Sequence, residues 1–263
     1  MYRKDIKVGI LYMEGTNCDE ELYSGFSMSG VSVSLLPIKS LNNNSNIFDY
    51  QILIIPGGFS AGDYVRAGAI FSVRLKYSLG TKLTDFVRNG FILGGICNGF
   101  QTLVEMGFLP GSVINERNAA LYTNNSSLFE CRTTFLKPGN KKAPITRYLD
   151  KDRLYQIPCA HAEGKLVFKD QKTLEEVEGN DMVIFRYSSP SGTTAYPWNP
   201  NGSANDIAGI CSREFNIFGM MPHPERALFS YNHEDWSLHR KKDMHGDGWY
   251  LINSMIKFVE KKF

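Results

Sequence analysis

The chemistry legible in this sequence centres on a cysteine framed by glycines. Residues 91–106 read FILGGICNGFQTLVEM, where Gly95, Cys97 and Gly99 form a G-x-C-x-G pattern. An apolar run, Phe91 to Leu93, precedes it, and Phe100, Leu103, Val104 and Met106 follow at helical spacing. A sharp strand-to-helix turn needs small neighbours, and it aims the free N–H groups and positive dipole end of the new helix at the residue on the turn. Cys97 occupies that turn, which suits a nucleophile. Far along the chain, IFGMMPHPERA places His223 and Glu225 between prolines after an apolar run, Ile217 to Met221. Imidazole titrates near neutrality and can act as the base, while a carboxylate two residues on can fix its tautomer and stabilise imidazolium. Cys97, His223 and Glu225 thus read as a catalytic triad. In IIPGGFSAGD, Gly57 and Gly58 follow another apolar run, Ile52 to Ile55, and let bare backbone N–H groups approach a ligand. The expected oxyanion hole is the backbone N–H of Gly58 and of Asn98.

Each pattern alone has a plainer reading. A lone cysteine after a strand is usually a small buried hydrophobe, a histidine between prolines can simply sit in a rigid turn, and paired glycines signal a turn. Together they gain weight, because all three fall at the carboxyl ends of predicted strands, where open α/β sheets place their sites. The elements that must position them alternate in the first half of the chain. Lys7 to Tyr12, Val31 to Leu36, Gln51 to Ile55 and Phe91 to Ile96 read as strands. Helices are expected between them: one capped by Asn17 or Asp19, another over Asp63 to Tyr77, and a third over Thr81 to Val87. Such alternation predicts an α/β fold with an open, mostly parallel sheet flanked by helices, flavodoxin-like in type. Later strands near Leu128 to Leu136, Lys165 to Phe168, Met182 to Tyr187 and Ile207 to Cys211 follow without long helices, which predicts added antiparallel strands. Asn42 to Asn46 and Ser188 to Asn205 read as loops. Gly248 to Phe263 reads as a docked helix with Leu251, Met255, Ile256 and Val259 on one face.

Composition narrows the function classes. A chain of 263 residues can form one large domain, residues 1–263. With 29 Lys plus Arg against 27 Asp plus Glu, the net charge is only +2, and no basic run makes a footprint for nucleic acid. No apolar stretch is long enough to cross a membrane, and MYRKDIKVGILYM enters a strand without a cleavable signal, so a cytoplasmic location is expected. Five cysteines with no C-x-x-C pair suit a reducing compartment.

The order strand-PGG, GGICNGFQ and MPHPERA resembles the class I (triad) glutamine amidotransferases. Matching stretches are Gly15 to Glu21 (GTNCDEE), Ile54 to Ile70, Gly94 to Gly111, Asn199 to Ile210 (NPNGSANDIAGI) and Gly219 to Ala227. DYVRAGAI and NPNGSANDIAGI are similar to the branch of that family serving purine synthesis. Ala61 and Ala162 depart from the pattern, and residues 228–246 match none of it. The resemblance implies that Cys97 attacks the carboxamide of glutamine and that a thioester forms and is hydrolysed. It further implies that ammonia passes to a large synthetase subunit, with a small third subunit bridging the two. It places ATP and magnesium on that partner and no cofactor or metal in this chain, which has no phosphate-binding glycine loop. It also implies that Gln101, with Gly57, helps to hold substrate.

Other residues carry weaker signals. His161, in PCAHAEGK, reads as a loop histidine that either is structural or lines the glutamine site or a partner face. Arg66 either faces a partner or pairs with Asp63 on a surface helix. Cys18 follows a turn at Gly15 near the site, while Cys131, Cys159 and Cys211 read as core residues. His233, His239 and His245 fit no closed zinc set and read as a solvated loop. The alternatives are a cysteine hydrolase like the intracellular proteases, with Glu14 contacting the cysteine, and a non-enzymatic binding subunit. Asn98 discriminates against the proteases, which carry histidine at that position.

Overall fold

The apolar runs of the first half become the parallel end of one sheet. The computed structural model describes residues 1–42, 44–111, 116–239 and 244–263. Its strands are β1 (Lys7–Tyr12), β2 (Ser32–Pro37), β3 (Ile52–Ile55), β4 (Ile92–Ile96), β5 (Ala119–Tyr122), β6 (Glu130–Pro138), β7 (Tyr155–His161), β8 (Lys165–Phe168), β9 (Val183–Ser188), β10 (Ile207–Cys211) and β11 (Ile217–Met220). The helices are α1 (Asp19–Met28), α2 (Ala69–Leu79), α3 (Lys82–Arg88), α4 (Asn98–Glu105), α5 (Gln171–Gly179), α6 (Trp236–His239) and α7 (Asp247–Lys262). Nine strands form one sheet in the order β2-β1-β3-β4-β11-β10-β9-β6-β7, and β5 pairs with β8 apart from it. From β2 to β11 the neighbours run parallel; from β11 to β7 they run antiparallel.

Burial explains which strands read clearly from sequence. All residues of β3, β4, β10 and β11 are buried, as expected of central strands covered on both faces. In β7, buried residues instead alternate with half-buried ones. The register of β4 against β11 sets Gly95 beside Gly219 and Ile96 beside Met220, so the cysteine turn and the histidine turn leave the same sheet edge.

Several expectations need correction. Helix α2 starts at Ala69 rather than Asp63, because Ala61, Asp63 and Val65 all hold positive φ and Gly68 is left-handed. Neither Asn17 nor Asp19 caps α1. Its cap position is Cys18, with no side-chain cap bond, and Asp19 lies in the first turn. Strands β5 and β7 and helix α5 were not anticipated. His161 ends strand β7 rather than sitting on a loop. Cys131 is exposed, since it occupies the outward face of β6, while Cys159 and Cys211 are buried. Arg66 pairs with Glu105 rather than with Asp63. His233 is buried rather than solvated, and His245 stacks on Trp249 with ring centroids 3.8 Å apart. The His239 side chain lies outside the described residues.

Candidate active site

The turn between β4 and α4 holds Cys97 at φ 50° and ψ −106°, a backbone conformation costly for a residue with a side chain. Surrounding contacts enforce it. The Cys97 N–H donates to the Met220 carbonyl at 2.8 Å, which ties the turn to β11. A Cβ on Gly99 would run into the Ile55 carbonyl oxygen, so only glycine lets α4 come this close to β3. The thiol of Cys97 points toward strand β7 and donates to the Ala160 carbonyl at 3.6 Å.

Gly57 binds the two halves of the site together. A Cβ there would lie 2.5 Å from His223 Cε1 and 3.2 Å from Cys97 Cβ, so histidine and cysteine flank the same bare backbone. The His223 backbone is fixed by its N–H donating to the Pro158 carbonyl at 2.8 Å. Its Nδ1 meets Glu225 Oε1 at 2.5 Å, and both side chains are buried. Burial alone disfavours imidazolium, but the Glu225 carboxylate, followed by the Cys97 and Cys18 sulfurs, outweighs it and holds the His223 pKa well above the usual range. His223 Nε2 and Glu225 Oε2 are buried with no hydrogen-bond partner.

The loop after β3 meets the first residue of α4 through side chains. Asn98 is buried, with Oδ1 accepting from the Ser60 hydroxyl and Nδ2 donating to Asp63 Oδ1 at 3.0 Å and Gln101 Oε1 at 3.1 Å. These bonds fix the start of a helix whose first N–H groups lack intrahelical partners. On the facing loop, Phe59 N donates to Gly15 O at 2.8 Å and Asn17 N donates to Gly57 O at 3.4 Å, holding the backbone on either side of Gly58. Asp63 is half-buried; burial pushes its pKa up to about 6, with Glu163 adding to the rise and the Asn98 bond opposing it.

Gln101 is buried, and its Nε2 donates to the Glu163 carbonyl at 2.6 Å. His161 follows Ala160, the acceptor of the Cys97 thiol. Its Nδ1 lies 3.2 Å from Asn124 Oδ1, and its Nε2 is buried without a partner. Burial, reinforced by nearby His223, lowers its pKa to about 3, so it is neutral at physiological pH.

Cys18 adjoins His223. Its sulfur lies 3.7 Å from Nδ1, and Arg226 donates to it at 3.1 Å. Burial pushes the Cys18 thiol pKa up, although the bond to His223 pulls the other way. Cys18, His223 and Glu225 bring their donor atoms within 4.8 Å of one another. The parts that sequence reasoning missed are Asp63 as a partner of Asn98, the Ala160 and Pro158 carbonyls, and the contact of Arg226 with Cys18. Only Arg226 had a sequence signal, its place in the HPER run.

A family model for a CobB/CobQ-like glutamine amidotransferase domain matches residues 5–259. The chain is 44% identical to a protein of Archaeoglobus fulgidus named phosphoribosylformylglycinamidine synthase subunit PurQ, over 99% of this chain and 100% of that one. A protein of the same name from Picrophilus torridus is 45% identical, over 84% and 87%. Among solved structures, PurLQS from Thermotoga maritima contains a chain 30% identical, with 97% and 99% covered and a TM-score of 0.75. A glutamine amidotransferase from the same organism shares the fold at 15% identity and a TM-score of 0.51, over 98% and 92%.

Proposed function

Because the chain belongs to the CobB/CobQ-like glutamine amidotransferase family, we propose that it is the glutaminase subunit of phosphoribosylformylglycinamidine synthase, hydrolysing glutamine at Cys97 and passing ammonia to a synthetase partner. One observation carries the chemical part of this reading: Cys97 and His223 share the bare backbone of Gly57, and His223 is bonded to Glu225 at 2.5 Å. Near full-length similarity to proteins named for the purine enzyme supports the choice of pathway.

The reaction follows from these groups. Cys97 sulfur gives its proton to His223 Nε2 and attacks the carboxamide carbon of glutamine. The backbone N–H groups of Gly58 and Asn98 receive the oxyanion, an interaction whose loss costs about 10²- to 10³-fold per donor. Glu225 stabilises the imidazolium, which protonates the leaving nitrogen. Ammonia departs, and water activated by His223 cleaves the thioester to release glutamate. Gly57 and Gln101 line the substrate's position, and neutral His161 stands beside it. Free ammonia is largely protonated in neutral water, so it needs a sheltered path to its acceptor.

The acceptor site belongs to the synthetase, which uses ATP and magnesium to convert formylglycinamide ribonucleotide to formylglycinamidine ribonucleotide. A small third subunit bridges the two. The chain itself acts as one domain, residues 1–263, without a cofactor, in the cytoplasm. No helix among the described residues is long and apolar enough to cross a membrane.

The test is Cys97→Ala in the complex assembled with its synthetase. Glutamine-dependent synthesis should vanish while ammonia-dependent synthesis continues. Retained glutamine-dependent synthesis would contradict the reading.

A further inference from the structure

Around Nδ1 of His223 lies a set of donor atoms that the proposed reaction does not use in full. Cys18 Sγ is 3.7 Å from His223 Nδ1, Nδ1 is 2.5 Å from Glu225 Oε1, and all three residues are buried. Glu225 Oε2 has no hydrogen-bond partner although it is fully enclosed, an arrangement that leaves a carboxylate lone pair available. We propose that Cys18, His223 and Glu225 form an inhibitory site for a zinc-like divalent cation, which switches the histidine off when it binds.

The donor set fits that chemistry. Thiolate, imidazole and carboxylate together favour zinc over magnesium or calcium, which prefer oxygen alone. Zinc bonds of about 2.0 to 2.3 Å require donor separations of roughly 3 to 4 Å, so the sulfur and Nδ1 already stand at a suitable spacing. The carboxylate must withdraw by about 1 Å from the imidazole to admit the ion. A surface cavity of about 870 Å³ reaches Glu225 and Arg226, so the ion approaches the buried donors from that side as Arg226 moves. Asp19, Glu20 and Glu21 line it together with Glu225 and Arg226, and acidic walls concentrate cations. Arg226 opposes the ion, since its guanidinium holds the Cys18 sulfur at 3.1 Å. It faces the same cavity and feels the charge of Glu21, so a side-chain swing toward the cavity wall clears the sulfur without losing a counter-charge.

Binding balances as follows. The Cys18 thiol releases its proton to solvent and donates a sulfur lone pair to the ion. Nδ1 donates its lone pair too, and the proton it shared with Glu225 is replaced by one on Nε2; an imidazolium would release one further proton to solvent. An imidazole metallated at Nδ1 and protonated at Nε2 has no lone pair left to accept the Cys97 proton. Glutamine hydrolysis therefore stops without any contact between the ion and the nucleophile. The inhibitory consequence rests on the function proposed above; the ion site does not.

The experiment has two arms. In the first, glutamine hydrolysis by the full chain with its synthetase is titrated with zinc. Measured against its own zinc-free rate, Cys18→Ser should need at least about tenfold more zinc for half-inhibition, the scale of loss seen when the support of a metal site is removed. Equal sensitivity of both proteins would overturn the proposal. In the second arm, cobalt(II) is added to the full chain carrying Cys97→Ala, where sulfur-to-cobalt charge-transfer absorption is expected. That absorption should vanish in the Cys97→Ala, Cys18→Ser double variant. Its absence from the first protein, or its survival in the second, would overturn the site even if the glutaminase is confirmed. Cobalt binding through Cys18, together with a parent complex that does not hydrolyse glutamine, would instead uphold the site and refute the proposed function.

Discussion

Two cysteines stand at the amino-terminal cap of a helix and flank the same histidine, yet their surroundings differ in almost every respect. Cys18 has an ordinary backbone, at φ −119° and ψ 15°, and is completely buried. Its sulfur is occupied by Arg226 and His223, and burial keeps it a thiol. Cys97 is held at positive φ by glycines that nothing larger can replace, with its thiol turned to the Ala160 carbonyl at the sheet edge. A helix start near a histidine therefore does not make a nucleophile. The proposed nucleophile is instead the cysteine on the strained turn, a geometry that serves to present a reactive side chain at the end of a strand.

The comparison can be broken most sharply at Glu225. Replacing it with Gln should lower the turnover of glutamine by about 10²- to 10⁴-fold with little change in KM, because the imidazolium loses its stabiliser. A small effect in steady-state kinetics would mean that His223 works without a charged partner. Next in size is Asp63→Ala, which frees the side chain of Asn98. A misplaced donor costs less than a missing one, so turnover should fall by about tenfold with KM preserved. Asp63→Asn retains the acceptor oxygen and should restore the rate. Cys18→Ser should leave glutamine turnover within about twofold of the parent, since a serine preserves the packing and no reacting atom is removed.

The smallest effect is one of stability. Asp63 has its pKa raised from 3.8 to about 6 in the folded protein, so folding is favoured by its protonated form. Stability is thus fullest below the ordinary carboxyl value and is lost as pH rises through about 6. Asp63→Asn should then be more stable than the parent at neutral pH, by about 1 kcal/mol once screening of a half-exposed carboxyl is allowed for. Thermal melts across pH should show the gap narrowing toward pH 3.8. A gap that stays constant would contradict the assignment.

How much of this was legible depended on the range of the interactions involved. β3, β4 and β11 announced themselves as continuous apolar runs, and the glycine frame of Cys97 is a local signature of its turn. β7 was hidden because Pro158 breaks the strand pattern, yet in the sheet it is the carbonyl of Pro158 that matters, as acceptor for His223 N. Helix α5 had a readable start, Asp170 accepting from the Thr173 N–H at 2.8 Å, although its charged sequence shows little of its buried face. The false start of α2 has a different origin. The segment from Ala61 to Val65 holds several positive φ values and is tied to distant partners, Ala61 N–H to the Glu14 carbonyl and Asp63 to Asn98, which no local pattern encodes. Cys97, His223 and Glu225 could be named from sequence, whereas the company of Cys18 and Arg226 beside the histidine emerges only when the chain is folded.

The central claim, that Cys97 and not Cys18 is the nucleophile beside His223, is tested most directly by a glutamine-mimicking diazoketone followed by mass spectrometry of the labelled peptides. A single adduct on the peptide carrying Cys97 is the predicted result. An adduct on the peptide carrying Cys18, with Cys97 unmodified, would contradict it.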